Sequence, residues 1–214
     1  QHTFAMLFYL LEKLPYYDRY VKDEKYIGDK MFTHFDKHFG ELAKMTWGII
    51  GLGNIGRRVA DIAKAFGCRV IYYSTSGRNS QPGYERVSFE ELLKESDIVS
   101  VHAPLDENTL DLMNKEAFHQ MKKTAIFLNL GRGPIVVEED LAEALEQGEI
   151  AAAGLDVLRV EPMSPENPLR RIKDSEKLLI TPHIAWASVE ARTRLMEIIC
   201  GQIQEFFSNG SPES

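Results

Sequence analysis

Six residues constrain this chain more than any others. Gly51-Leu52-Gly53-Asn54-Ile55-Gly56 is a G-x-G-x-x-G set placed between a short β-rich run, TWGII, and an amphipathic segment. In that segment, Asn54 to Phe66, the residues Ile55, Val59, Ile62, Ala63 and Phe66 share one helical face, and Gly67 stops the helix. Gly51 permits the tight turn, Gly53 lets the backbone approach a pyrophosphate, and Gly56 lets the helix lie close to the strand. The free N–H groups of the first helical turn then face the phosphates, aided by the helix dipole. Gly51, Gly53, Asn54, Ile55 and Gly56 are therefore the candidate phosphate contacts. A glycine-rich turn with no ligand is the plainer alternative, but the complete strand–turn–helix–strand unit favours a cofactor.

The alternation continues along the chain. CRVIYY reads as a second strand, and Ser88 with Glu91 forms a capping box for a helix through Glu95. DIVSVHAP, TAIFLNLG, IAAAGLDV and KLLITPH read as further strands. Helices are predicted at Lys115–Met121, Glu138–Gln147 and Ser188–Phe207, the last capped by Asn209-Gly210. The strand runs are apolar throughout, as in a parallel sheet covered on both faces. The fold class expected is α/β: a doubly wound parallel sheet, Rossmann-like, with flanking N-terminal and C-terminal helices. HTFAMLFYLLEKLPYYDRY reads as one helix, apolar on all sides. That suggests a domain or subunit interface, with burial in a core as the plainer alternative. The expected organisation is 1–45 as an interdomain or dimer helix with its connector, 46–187 as a dinucleotide-binding domain, and 188–214 as a final helix and tail.

The net charge of −7 is spread along the chain, without the basic footprint that sequence-independent nucleic-acid binding needs. Cys68 and Cys200 form no CxxC or Cys/His cluster, which excludes a zinc site of the usual spacing and argues against a disulfide framework. Phe4 to Leu11 is too short to cross a bilayer and lacks the flanks of a leader, so a cytoplasmic protein is expected.

The residues after the second strand bear on the cofactor. An acidic residue about 20 positions beyond the glycine turn would hold a ribose 2′-hydroxyl. Here the chain reads Tyr73-Ser74-Thr75-Ser76-Gly77-Arg78-Asn79, with no Asp or Glu between Cys68 and Tyr84. The hydroxyls of Ser74, Thr75 and Ser76 and the cation of Arg78 suit a 2′-phosphate, which points to NADP ahead of NAD with both left open.

Three later segments begin at or just after strand ends: Asn129-Leu130-Gly131-Arg132-Gly133, then Gly154-Leu155-Asp156-Val157 with Glu161-Pro162, then Thr181-Pro182-His183-Ile184-Ala185-Trp186. In a doubly wound sheet those ends border the ligand crevice. With GIIGLGNIG and VHAPL, these motifs stand in the order that resembles the D-isomer-specific 2-hydroxyacid dehydrogenases, nearest the glycerate dehydrogenase/hydroxypyruvate reductase branch. The resemblance implies an oxidoreductase passing a hydride between NAD(P)H and a small 2-oxo acid. It implies Arg132 as the substrate-carboxylate residue, His183 as the general acid and Glu161 as its paired carboxylate. It implies Asp156 on the nicotinamide carboxamide, and Leu130, Gly131, Ala185, His102, Ala103 and Pro104 along the cofactor cleft. The chemistry agrees: a guanidinium fork suits a carboxylate, and a neighbouring negative charge favours the imidazolium that reduction needs. His2, His34, His38 and His119 read as surface or connector residues.

The resemblance also implies an N-terminal substrate domain with no counterpart here, and a homodimer through the cofactor domain. Alone, the chain is expected to bind cofactor and turn over poorly. A dinucleotide-sensing corepressor of the same fold is the alternative function. A formate dehydrogenase relative would carry Gln in place of Glu161, and a methyltransferase has no use for the Arg/Glu/His set.

Overall fold

The computed structural model describes residues 1–78 and 80–208. Asn79 of the second-strand loop and the Asn209-Gly210 cap lie outside the described residues. The chain divides into two compact units, Gln1–Pro182 and His183–Ser214.

In the first unit seven parallel strands form one sheet: β1 (Thr46–Ile50), β2 (Arg69–Tyr73), β3 (Glu85–Arg86), β4 (Ile98–Val101), β5 (Ile126–Asn129), β6 (Ala152–Leu155) and β7 (Leu178–Ile180). Their spatial order is β3-β2-β1-β4-β5-β6-β7. This doubly wound order reverses at β1, and the exits of β1 and β4 flank the switch point where such sheets bind ligands. The helices are α1 (His2–Leu11), α2 (Leu14–Lys22), α3 (Asn54–Ala65), α4 (Phe89–Glu95), α5 (Lys115–Gln120) and α6 (Glu138–Gln147).

Alternate residues of each strand feed two separate cores, one on each side of the sheet. Trp47, Ile49, Ile126 and Leu128 pack with Phe4, Leu7 and Leu10 of α1 and Val59, Ala60 and Ala63 of α3. Ile50, Val99, Val101 and Phe127 pack with Leu92 of α4, Phe118 of α5 and Leu141 and Leu145 of α6. This two-sided cover is what apolar, non-alternating strand runs require. Helix ends follow local chemistry: the Ser88 hydroxyl accepts from the Glu91 N–H at 3.2 Å, and Gly148 closes α6 in left-handed backbone (φ 69).

Four sequence expectations change. The first helix is two helices, broken where Lys13 turns left-handed (φ 55) ahead of Pro15, which lacks an N–H and restricts the residue before it. The all-round apolarity of α1 is met within the unit, because it packs against β5, β6 and β7, with Met6, Leu7 and Leu10 fully buried. Within α3 the buried side is Gly56, Val59, Ala60 and Ala63; Ile55 is 68% exposed, and Phe66, just past its end, is partly open and stacks on Phe4. β3 was not anticipated, since two charged residues carry no apolar signal.

The second unit opens with a short turn in which the Ala187 N–H donates to the Ile184 carbonyl. The Ser188 hydroxyl then accepts from the Ala191 N–H, and α7 runs over Val189–Ser208. No helix among the described residues is long and apolar enough to cross a membrane.

Candidate active site

The turn after β1 is shaped by absent side chains. Gly51 sits at φ 91, and a Cβ there would come within 2.7 Å of the Ala103 backbone nitrogen. On Gly56 a Cβ would lie 2.2 Å from the Gly51 carbonyl oxygen, so the helix and the turn touch backbone to backbone. Gly53 differs: a Cβ there would meet nothing within 4 Å. It is the N-cap of α3 and has no side chain to occupy the first free N–H groups of the helix. A closed turn with an open, uncapped lip fits a pyrophosphate. Asn54 is engaged, its Oδ1 accepting from the Arg57 guanidinium at 2.6 Å, and Ile55 stands exposed at the lip.

Ala103 closes against Gly51 from the β4 exit, and the preceding His102 N–H donates to the Ile50 carbonyl at 2.8 Å. The His102 imidazole lies 3.1 Å from the Ser100 hydroxyl, which also accepts from the Trp47 indole N–H at 2.9 Å. Burial pushes the His102 pKa down to about 4, which keeps the ring neutral. Pro104 is exposed.

At the β2 exit, Ser74 is buried, whereas Ser76 and Arg78 are exposed and Thr75 is half-buried. The loop is held by its own bonds: the Gly77 N–H donates to the Ser74 carbonyl, and the Arg78 N–H to the Ser76 hydroxyl at 3.3 Å. Sequence reasoning missed Arg86, whose guanidinium donates to the Gly77 carbonyl at 3.0 Å. The parallel pairing of Tyr72 with Arg86 puts this second cation beside the loop. The neighbouring Glu85 is paired with Arg69 at 2.6 Å.

The exits of β5, β6 and β7 lie side by side, since Asn129 pairs with Leu155 and Leu155 with Ile180. Asn129 is fully buried; its side chain accepts from the Gly131 N–H at 3.0 Å and donates to the Arg132 carbonyl at 3.0 Å. One amide thus fixes the backbone of Leu130, Gly131 and Arg132. The Arg132 guanidinium donates to the Gly131 carbonyl at 2.8 Å. At Gly133 the chain runs directly against the backbone after β6: a Cβ there would sit 1.9 Å from the Leu158 carbonyl oxygen. The Leu158 N–H in turn donates to the Glu161 carboxylate at 2.7 Å, so the segments bearing Arg132 and Glu161 are in contact. Glu138 at the start of α6 steadies the same loop, accepting from the Arg159 N–H and the Asn167 side chain.

Asp156 is a buried carboxylate, 1% exposed. Its Oδ1 accepts from the Thr181 hydroxyl at 2.5 Å and lies 3.4 Å from the His2 Nε2, which is also 3.0 Å from Thr181 Oγ1. His2 is therefore no surface residue: the first residue of α1 reaches the β6 and β7 exits, a contact 179 positions apart that no local pattern shows. The other non-site histidines behave as expected. His34 stacks on Tyr20 at 3.9 Å in the connector, His38 is exposed, and His119 pairs with Glu149 on the surface. His183 is the first residue of the second unit and adopts left-handed backbone (φ 55), with Ala185 following in the same unit. The catalytic candidates are thus distributed over both units.

The D-isomer specific 2-hydroxyacid dehydrogenase NAD binding domain matches residues 4–185. The chain belongs to this family. It is 38% identical to a hydroxypyruvate reductase of Blautia hydrogenotrophica, over 99% of this chain and 65% of that protein. Among solved structures it resembles a D-lactate dehydrogenase from Aquifex aeolicus complexed with NAD and lactic acid (29% identity, TM-score 0.86, 97% of this chain and 65% of that one). It also resembles an acyclic imino acid reductase in complex with NADPH and D-Arg (31% identity, TM-score 0.84, 97% and 64%). The chain therefore spans just under two thirds of the length of these relatives. These relatives are reductases and a dehydrogenase, which lend nothing to the corepressor alternative. The matched family domain is an NAD binding domain and these two solved structures hold NAD and NADPH respectively, so the cofactor class is a nicotinamide dinucleotide.

Proposed function

We propose that this chain is the cofactor-binding part of an oxidoreductase that reduces a small 2-oxo acid, such as glyoxylate, hydroxypyruvate or a similar acid, to its D-2-hydroxy acid and runs the reverse reaction. The observation that carries the reading is the open, uncapped turn at Gly53 on the same sheet edge as Arg132 and Asp156. When bound, the cofactor supplies the hydride from its nicotinamide ring. Gly51, Gly53, Asn54, Ile55 and Gly56 would hold the pyrophosphate, and His102, Ala103, Pro104, Leu130, Gly131 and Ala185 would line the cleft. Asp156 would accept from the carboxamide N–H and so select the ring face presented. Arg132 would fork onto the substrate carboxylate and polarise the ketone. His183 would protonate the reduced oxygen, with Glu161 orienting the imidazole and favouring its charged form. Ser74, Thr75, Ser76 and Arg78 would take the 2′ end, with NADP preferred to NAD. We further propose a cytoplasmic homodimer joined through this domain, which light scattering tests.

The decisive experiment titrates the chain with NADH and NADPH and follows oxidation of each against glyoxylate, hydroxypyruvate and pyruvate. Binding in the micromolar range supports the reading, and no binding of either nucleotide sinks it. In a protein that turns over, Arg132→Ala should raise KM for the oxo acid and lower kcat while leaving nucleotide affinity within about twofold.

A further inference from the structure

We propose that His2 is a positioning residue for the nicotinamide end of the site, acting on Asp156 through Thr181. The inference rests on the reading of Asp156 as the carboxamide acceptor.

The bond directions follow from donor and acceptor counts. Asp156 is deeply buried, and its Oδ1 lies 2.5 Å from Thr181 Oγ1. The Thr181 hydroxyl donates its single proton to Asp156. The Thr181 oxygen is then left as an acceptor, and the group 3.0 Å from it is the His2 Nε2. That nitrogen must carry a proton, in the neutral or the charged ring. The relay runs one way, from His2 Nε2–H to Thr181 Oγ1–H to Asp156 Oδ1, with the imidazole also 3.4 Å from that same oxygen. The His2 N–H, spent on the Thr181 oxygen, fixes the rotation of the hydroxyl, and that hydroxyl in turn holds the carboxylate.

The anchorage of the relay is independent of any ligand. Thr181 is held by its N–H to the Leu155 carbonyl at 2.9 Å, and Asp156 by its N–H to the Asn129 carbonyl at 3.0 Å. His2 starts a helix whose Phe4, Met6, Leu7 and Leu10 are buried in the core under the sheet. The imidazole is thereby delivered by a rigid element, which makes it suited to hold a carboxylate at a set angle.

The test compares two reduced nucleotides on the full chain. NADH offers a carboxamide N–H to Asp156. Its 3-acetylpyridine analogue carries a methyl ketone there and offers none. His2→Ala should weaken NADH about tenfold, as loss of orientation of one charge-assisted bond implies, and the analogue less than about twofold. His2→Gln, which restores a donor near Nε2, should recover NADH affinity to within about threefold. Thr181→Val interrupts the relay without touching α1 and should give the same signature as His2→Ala, so a poorly folding helix variant does not decide the matter. Equal losses for both nucleotides, no loss for either, or no recovery in His2→Gln would overturn the role of His2. Asp156→Asn, which presents a donor in place of an acceptor, separates the two readings. If it fails to discriminate between the nucleotides, the carboxamide assignment falls and this inference with it. If it discriminates and the His2 and Thr181 variants do not, only the relay falls.

Discussion

At the exits of β1 and β2 the crevice is shaped by what the side chains leave out, whereas at the exits of β5, β6 and β7 it is filled by side chains that bond one another. Gly51 and Gly56 pack backbone on backbone, and Gly53 leaves its space empty. At the other end Asn129, Asp156, Thr181 and His2 form buried and part-buried polar contacts in which each group has a defined partner. The lesson is that the phosphate end depends on volume and backbone direction, and the nicotinamide end on hydrogen-bond geometry. The two ends should therefore fail differently when mutated.

The largest effect is expected at the phosphate end. Gly56→Val puts a branched side chain where a single carbon would already lie 2.2 Å from a carbonyl oxygen. It should cost about 3 kcal/mol or more in urea unfolding and abolish nucleotide binding. Gly53→Ala, by contrast, should leave the unfolding midpoint unchanged and weaken nucleotide binding about tenfold or more, since its Cβ meets only the space a phosphate would use. Equal destabilisation by both would erase the distinction between packing glycine and ligand glycine.

Between the two ends, His102 ties stability to pH. Its pKa falls from 6.5 to about 4 on burial, so the unfolded chain binds more protons than the folded one between those values. Its contribution is fully present above pH 6.5 and is lost as pH falls toward 4, by up to about 3 kcal/mol. His102→Asn should flatten that part of the acid limb in urea titrations; an unchanged slope would count against a neutral buried imidazole.

At the nicotinamide end, Asn129→Ala strips partners from the Gly131 N–H and the Arg132 carbonyl together. It should cost about 2 kcal/mol and lower hydride transfer more than nucleotide affinity, because Arg132 loses its fixed backbone. The smallest effect belongs to Arg78→Ala. NADPH affinity should drop about tenfold with NADH within twofold and unfolding unaltered, because the side chain is exposed.

What the sequence showed and what it hid divide along the same line. The sheet was legible because runs such as IVSV and IFLN are buried on both faces, and the α4 start because Ser88 and Glu91 stand three apart. The glycine turn was legible because its function lies in contiguous residues. The break at Lys13 was hidden by an apolar period that continues through Leu14. β3 was hidden because Glu85 and Arg86 join the sheet at its edge, where polarity is tolerated. Asn129 carried a weak signal as a polar residue closing an apolar run, but its partners could not be read from it. His2 carried none, since its neighbours Thr181 and Asp156 are set by strand register far along the chain.

The position of α1 has a practical consequence for anyone dissecting the molecule. A shorter version starting at Thr46 would keep every strand and the glycine turn, yet it would strip Phe4, Leu7 and Leu10 from Trp47, Ile126, Leu128 and Ala152. The sheet would then show water an oily underside, and aggregation rather than a trimmed nucleotide binder is the outcome to plan for. Residues preceding the first strand are the floor on which this domain stands.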